Sequence, residues 1–293
     1  MPSVEHEQIV AMMAGGLGLE SLSVDEQRLA MEASAEMFPV EADVLTNEVD
    51  AGGIPADWVS IAGQNSERVI LYFHGGAYVM GSRITHRALA GRIARASQAR
   101  VLLPDYRLAP ENPFPAAVDD AIACWNWLIS EGISPNQIAV AGDSAGGGLA
   151  LATLLALKDS GSPLPACAVG LSPWTDLEGT GETAEAGAVD DPMLTPEGLR
   201  SSGRDYAGAD LRNPLAAPLL GNLEGLPPIL LQVGTREVLL SDSTRFATKA
   251  RAQGVEVTLE VEEDLIHVWQ MLPGVPEAES AVERIGAYIS RHC

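Results

Sequence analysis

The stretch Ile138-Ala139-Val140-Ala141-Gly142-Asp143-Ser144-Ala145-Gly146-Gly147-Gly148 decides how this chain is read. An apolar run of strand length meets a Gly-x-Ser-x-Gly pentapeptide, and an Ala- and Leu-rich helical run to Asp159 follows. A serine set between a buried strand and a helix sits on a sharp turn, so its hydroxyl projects above the sheet rather than packing beside it. Glycines at 142 and 146 let neighbouring backbone approach where a Cβ would clash. The amide dipoles of the helix N-terminus point toward any negative charge that develops beside Ser144. The pentapeptide in isolation is a weak signal. Between a strand and a helix it marks a nucleophile.

Outward from this stretch, strand and helix alternate. Strands are expected at Asp43–Val49, Asp57–Ala62, Arg68–Phe73, Arg100–Pro104, Ile138–Gly142, Ala166–Ser172, Ile229–Gly234 and Val255–Val261. Helices are expected over Ile84–Ser97, after Pro115 (carrying Ala121, Ile122, Trp125 and Leu128), over Ser144–Asp159 and Ser241–Ala252, and from Pro276. Such alternation predicts an α/β fold with a mostly parallel sheet covered by helices on both faces. The first two strands have no helix between them, which predicts an antiparallel pair. The last strand should be a sheet edge; its acids Glu256, Glu260 and Glu262 either protect that edge or leave room for pairing as a homodimer.

Two segments depart from the rhythm. Thr180–Leu220 has a polar, Gly-rich start, then Asp191-Pro192-Met193-Leu194 and a Thr195-capped helix to about Tyr206. An insertion near the carboxyl edge of a sheet is well placed to roof a pocket. Residues 1–40 are helical in pattern, with Ser23 capping a segment that carries Leu29, Met31, Ala33, Met37 and Phe38. That stripe reads either as a core helix or as a mobile lid.

The 293 residues suit one large α/β domain, and the net charge of −22 makes nucleic acid an improbable partner. Cys124, Cys167 and Cys293 are too scattered for a disulfide framework or a zinc site, and no metal or other cofactor is expected. No basic segment followed by an apolar core opens the chain, and no apolar stretch reaches membrane-spanning length, so the expectation is a cytoplasmic, soluble protein.

Ser144 needs partners. His74-Gly75-Gly76-Ala77-Tyr78 follows another buried strand, and a glycine-rich loop there can bring backbone N–H donors to a tetrahedral oxyanion, each worth roughly 2.7–4 kcal/mol. The amide of Ala145 is the complementary donor. The order serine, acid, histidine requires a late histidine. Of five histidines only His267 and His292 follow Ser144, and His292 stands next to the end of the chain, where it should fray. His267, just after a strand, is therefore the base, and His74 is structural. The acid belongs in the loop after Ile229–Gly234, which offers Glu237 and Asp242. Glu237 is nearer the strand end, whereas Asp242 resembles a first-turn helix acid.

These motifs, with Asp105-Tyr106-Arg107-Leu108-Ala109-Pro110-Glu111 and Pro113-Phe114-Pro115-Ala116-Ala117, resemble the bacterial hormone-sensitive lipase family of α/β-hydrolases from about residue 40 onward. The resemblance implies an eight-stranded α/β-hydrolase domain over residues 41–293, with a small helical cap from residues 1–40 and an insertion at about 180–215. It implies a carboxylesterase for short-to-medium acyl chains, with Ser144, Glu237 and His267 as triad and with Gly75, Gly76, Ala77 and Ala145 as the oxyanion hole. Two positions depart from the common family pattern: Ala77 stands where many members have glycine, and Glu237 where many have aspartate. By the same resemblance Arg107 pairs with a carboxylate near the site, and Asp191–Leu194 belong to the cap or pocket wall.

The chemistry expected is attack of Ser144 on a small ester substrate, with His267 taking the proton and water releasing the acyl-enzyme. A lactone, an acetylated metabolite or an activated amide would share the same tetrahedral chemistry. A non-catalytic receptor on this scaffold is disfavoured because His267 is in place.

Overall fold

A strand that reads as an unbroken apolar run has both faces covered, and successive side chains must serve opposite faces. The computed structural model, which describes residues 2–13, 22–64 and 66–293, follows this rule. Its strands are β1 (Val44–Asp50), β2 (Pro55–Ile61), β3 (Val69–Phe73), β4 (Arg100–Pro104), β5 (Ile138–Asp143), β6 (Cys167–Leu171), β7 (Ile229–Gly234) and β8 (Val257–Glu262). In β3, Val69, Leu71 and Phe73 enter one apolar cluster with Trp125 and Leu128 of helix α4 (Ala116–Ser130) and Leu149 of α5 (Ser144–Asp159). Ile70 and Tyr72 turn the other way, toward Leu89 and Ile93 of α3 (Arg83–Ser97) and Ile285 and Ile289 of α8 (Pro276–His292). Helix α7 (Leu240–Ala252) packs Phe246 against Leu231 of β7 and Leu151 of α5. Each such large side chain, fully buried, contributes roughly 1.5–3 kcal/mol.

The eight strands form one sheet in the order β1-β2-β4-β3-β5-β6-β7-β8. β1 and β2 are antiparallel as expected, and β2 is also antiparallel to β4; the remaining pairs are parallel. From β3 the chain goes out to β4 on one side and returns to β5 on the other. The loops after β3 and β5 therefore diverge at a topological switch point, where an open parallel sheet leaves a crevice at its carboxyl edge. Direct pairing of Phe73 with Gly142 places the His74 loop beside the Ser144 turn.

β8 is an edge strand, beginning at Val257 rather than Val255. Glu260 and Glu262 lie two apart, so they share a face, and both bond Arg284 of α8. These acids fasten α8 to the edge.

Helices α1 (Val4–Met13), α2 (Val24–Ser34) and α6 (Pro196–Ala207) complete the α-helices among the described residues. Ser23 caps α2 with a full capping box, and Thr195 caps α6 through Gly198 N–H. The core-helix reading of the second helix fails: no residue of α2 is buried, and Leu29 is 67% exposed. Instead Arg28 ties it down, donating to the carbonyls of Val79 and Ala109 and to both oxygens of Glu111. Of the N-terminal helical stretch, residues 14–21 lie outside the described residues. No described helix is long and apolar enough to cross a membrane.

Candidate active site

Ser144 opens α5 with φ of 53°, the left-handed region that non-glycine residues seldom occupy. The turn packs closely against the loop after β3. A Cβ on Gly146 would lie 2.1 Å from the Phe73 carbonyl oxygen and 2.4 Å from that of His74. The elbow and the His74 loop thus meet backbone to backbone. Beneath them, Tyr72 Oη donates to Asp143 Oδ1 at 2.8 Å, fixing the residue before the serine.

His267 Nε2 lies 2.9 Å from Ser144 Oγ, and its Nδ1 lies 2.9 Å from Glu237 Oε2. All three residues are buried. Glu237 Oε1 accepts the Gly234 N–H at 2.5 Å and the Ser172 hydroxyl at 2.8 Å, so each carboxylate oxygen has its own donors. Burial nevertheless raises the Glu237 pKa above the usual carboxylate value, although these hydrogen bonds and the imidazole oppose it. Burial by itself would lower the pKa of His267. The Glu237 hydrogen bond and charge, aided by Asp191 and Asp143, reverse that and raise it. The arrangement is a hydroxyl, a base and an acid in hydrogen-bonded series.

The loop after β3 turns sharply beside the serine elbow. Gly76 has φ of 121° and its carbonyl accepts the amides of Val79 and Met80, folding the loop back on itself. Ala77 follows at φ 54°. Among the described residues the amides of Gly76 and Ala77 find no protein acceptor, and Ala145 N–H, in the first turn of α5, has none within its helix. Gly75, grouped with these donors from the sequence, differs. Its N–H donates to His86 Nε2 at 3.2 Å and is already engaged. The amides left without a protein acceptor are those of Gly76, Ala77 and Ala145.

His74 is structural: burial, then the charge of neighbouring His86, hold its pKa down at about 3, and its ring stacks on Tyr106 at 4.2 Å. Asp242 is engaged elsewhere, accepting the amides of Thr175 at 2.7 Å and Asp176 at 2.8 Å, while Glu237 bonds the histidine. Arg107 pairs with Asp120 of α4, which makes its role one of bracing the loop against that helix. His292 is the last residue of α8, with its ring 4.5 Å from that of Tyr288, so it is packed rather than frayed. Two supporting residues escaped the sequence reading. Ser172 could have been sought as the residue directly after β6 at the same sheet edge; nothing local marks His86.

Comparison with known proteins bears on this fold and site. Residues 70–271 match a family described by the alpha/beta hydrolase fold. An acetyl-hydrolase of Streptomyces hygroscopicus is 42% identical over 268 residues, covering 91% of this chain and 89% of that protein. An esterase of Acinetobacter venetianus is 34% identical over 271 residues, 92% of this chain and 89% of its own. A crystal structure of an esterase from the bacterial hormone-sensitive lipase family superposes with a TM-score of 0.95 at 42% identity, covering 100% of this chain and 99% of that one. Fold and site thus define an α/β-hydrolase-fold enzyme. Within that class the chain belongs to the bacterial hormone-sensitive lipase family and is an esterase.

Proposed function

We propose that this esterase is a serine carboxylesterase acting on short-to-medium acyl esters through an acyl-enzyme. The observation that carries the reading is the series Ser144 Oγ to His267 Nε2 at 2.9 Å and His267 Nδ1 to Glu237 Oε2 at 2.9 Å. His267 takes the serine proton as Ser144 Oγ attacks the ester carbonyl. Glu237 holds Nδ1 protonated and stabilises the imidazolium that results. The oxyanion is received by the amides of Gly76, Ala77 and Ala145. His267 then returns the proton to the leaving alcohol, and a water molecule repeats the sequence to free the acid.

Two similar structures support the assignment: one of EstE5 soaked with p-nitrophenyl butyrate, and one of EstE5 with PMSF. The relative named an acetyl-hydrolase supports the short-acyl reading, and an acetylated metabolite is the second reading it supports. We assign the cap to α1, α2 and the insertion of about residues 180–215. Arg28 of α2 reaches the Val79 carbonyl, and Tyr206 of α6 stacks on Tyr78 at 3.7 Å, so both pieces meet the loop that carries Gly76 and Ala77.

A panel of p-nitrophenyl esters from acetate to long-chain acids, run on wild type and Ser144→Ala, tests the proposal. Turnover should be highest for short acyl chains and fall by at least about a thousandfold in the variant. Undiminished turnover in Ser144→Ala, or no turnover of any ester by wild type, would overturn it.

A further inference from the structure

The Asp191-Pro192-Met193-Leu194 segment has a place in the sequence pattern but no task in the reaction as described. We propose that Asp191 is a positioning residue of this site: a second carboxylate that braces the loops carrying Glu237 and His267 and lends its charge to the imidazolium formed in turnover. The inference rests on the serine-esterase reading above.

The geometry is specific. Asp191 Oδ1 accepts the amides of Met193 at 2.9 Å and Leu194 at 3.1 Å, closing a turn on itself. Its Oδ2 accepts the Val238 N–H at 2.9 Å across 47 residues of sequence. Val238 directly follows Glu237, and its carbonyl accepts the Thr183 hydroxyl at 2.7 Å. Both polar groups of the residue next to the acid are therefore held from the insertion. The turn also reaches the base. Met193 packs against the apolar cluster of Leu265, Ile266 and Trp269, which brackets His267 in the chain. One carboxylate orders the contact to the histidine loop and grips the acid loop.

Charge points the same way. The groups acting on His267 are Glu237 in direct contact, Asp191 from the insertion and Asp143 from the elbow, all anionic. Asp143 accepts the Tyr72 hydroxyl and is buried at the far side of the elbow. The neighbouring Arg236 pairs with Asp190, 95% exposed at its side chain, and among the described residues Asp191 has no Lys or Arg ion-pair partner. Its charge is left to act on the imidazole. Three amide donors on two oxygens also explain why an amide side chain would not replace it, since asparagine has a single acceptor oxygen.

The test uses the full chain with Asp191→Asn, Asp191→Glu and the neighbouring control Asp190→Asn. Folding is checked by circular dichroism and thermal melting. The readouts are pH profiles of kcat and kcat/KM for p-nitrophenyl acetate, and a nitrogen NMR titration of the His267 ring in a Ser144→Ala background. Asp191→Asn should lower kcat about tenfold with little change in KM, and should move the acid limb and the imidazole titration to lower pH. Asp191→Glu keeps the charge but displaces the bonds, so kcat falls several-fold, by roughly the same reasoning, while the acid limb stays near wild type. Asp190→Asn should alter neither. An acid limb and ring titration in Asp191→Asn that coincide with wild type would overturn the charge role, as would an equal shift in Asp190→Asn. Unchanged kcat in Asp191→Glu would overturn the bracing role, even where Asp191→Asn folds poorly. An inactive wild type sinks the esterase reading instead, and the ring titration still reports on Asp191.

Discussion

Glu237→Gln removes one buried charge while keeping the side chain's shape. Oε1 of Glu237 accepts two donors, Gly234 N–H and Ser172 Oγ–H, so the glutamine carbonyl is drawn to that side. Its NH2 then faces His267 Nδ1, which must become an acceptor, and the ring proton moves to Nε2 opposite Ser144 Oγ. That tautomer cannot take the serine proton. The corresponding carboxylate-to-amide change in a serine protease triad lowers kcat about 10⁴-fold, or roughly 5.4 kcal/mol of transition-state stabilisation. The fold should tolerate the change: burial raises the Glu237 pKa, so the ionised group stabilises the native state less at pH 7 than a neutral one would. Stopped assays with p-nitrophenyl acetate give kcat, and thermal melting at pH 7 should show no loss of Tm. The residual activity should lose its acid limb to lower pH, because Glu237 is the main group raising His267 against burial. A kcat within tenfold of wild type, or a larger loss in Asp242→Asn, would refute the assignment of the acid.

Three further outcomes follow from other parts of the molecule. Gly146→Ala places a Cβ 2.1 Å from the Phe73 carbonyl oxygen, so it should abolish esterase activity and lower Tm, costing more than about 3 kcal/mol in denaturant titrations; an active, equally stable variant would contradict the tight elbow. For Asp242, burial pushes the pKa up to about 7, well above the usual carboxylate range. The native state then holds its proton more tightly than the unfolded chain, so the group's contribution is present at pH 4 and lost as pH rises through 7. Asp242→Asn should therefore be more favourable to Tm, relative to wild type, at pH 8 than at pH 5; the reverse trend, read by calorimetry, would contradict the burial argument. Arg28→Ala frees α2 from the Val79 and Ala109 carbonyls, so limited proteolysis within residues 1–40 should accelerate at least about threefold, with unchanged cleavage rates counting against the tether.

Much of the site was legible because its signals are local or ordered. The elbow is a contiguous pattern in which strand, turn and helix each occupy adjacent residues, and β5 and α5 lie where that pattern puts them. His267 follows from chain order. The central parallel strands β3, β5 and β6 declare themselves by nearly continuous apolar runs, a direct consequence of two covered faces. The methionine and leucine stripe of α2 shows the limit of such reasoning. It carries apolar residues at helical spacing, yet none is buried, because its own Arg28 guanidinium ties α2 to two carbonyls and the Glu111 carboxylate rather than to an apolar wall.

What the sequence determined on its own was therefore the α/β architecture, the turn that raises Ser144, and the candidates for its partners. The tertiary structure decided among those candidates. Glu237 and Asp242 are five positions apart, and chain position only favoured Glu237 over a first-turn helix acid; the hydrogen bonds of the folded chain turn Glu237 toward His267 and leave Asp242 to the Thr175 and Asp176 amides. Likewise Gly75 differs from Gly76 and Ala77 because His86, on α3, takes its amide. The bond from Asp191 to Val238 spans 47 residues. Such contacts depend on where separate elements arrive in space, whereas periodicity and turn chemistry act between neighbours in the chain.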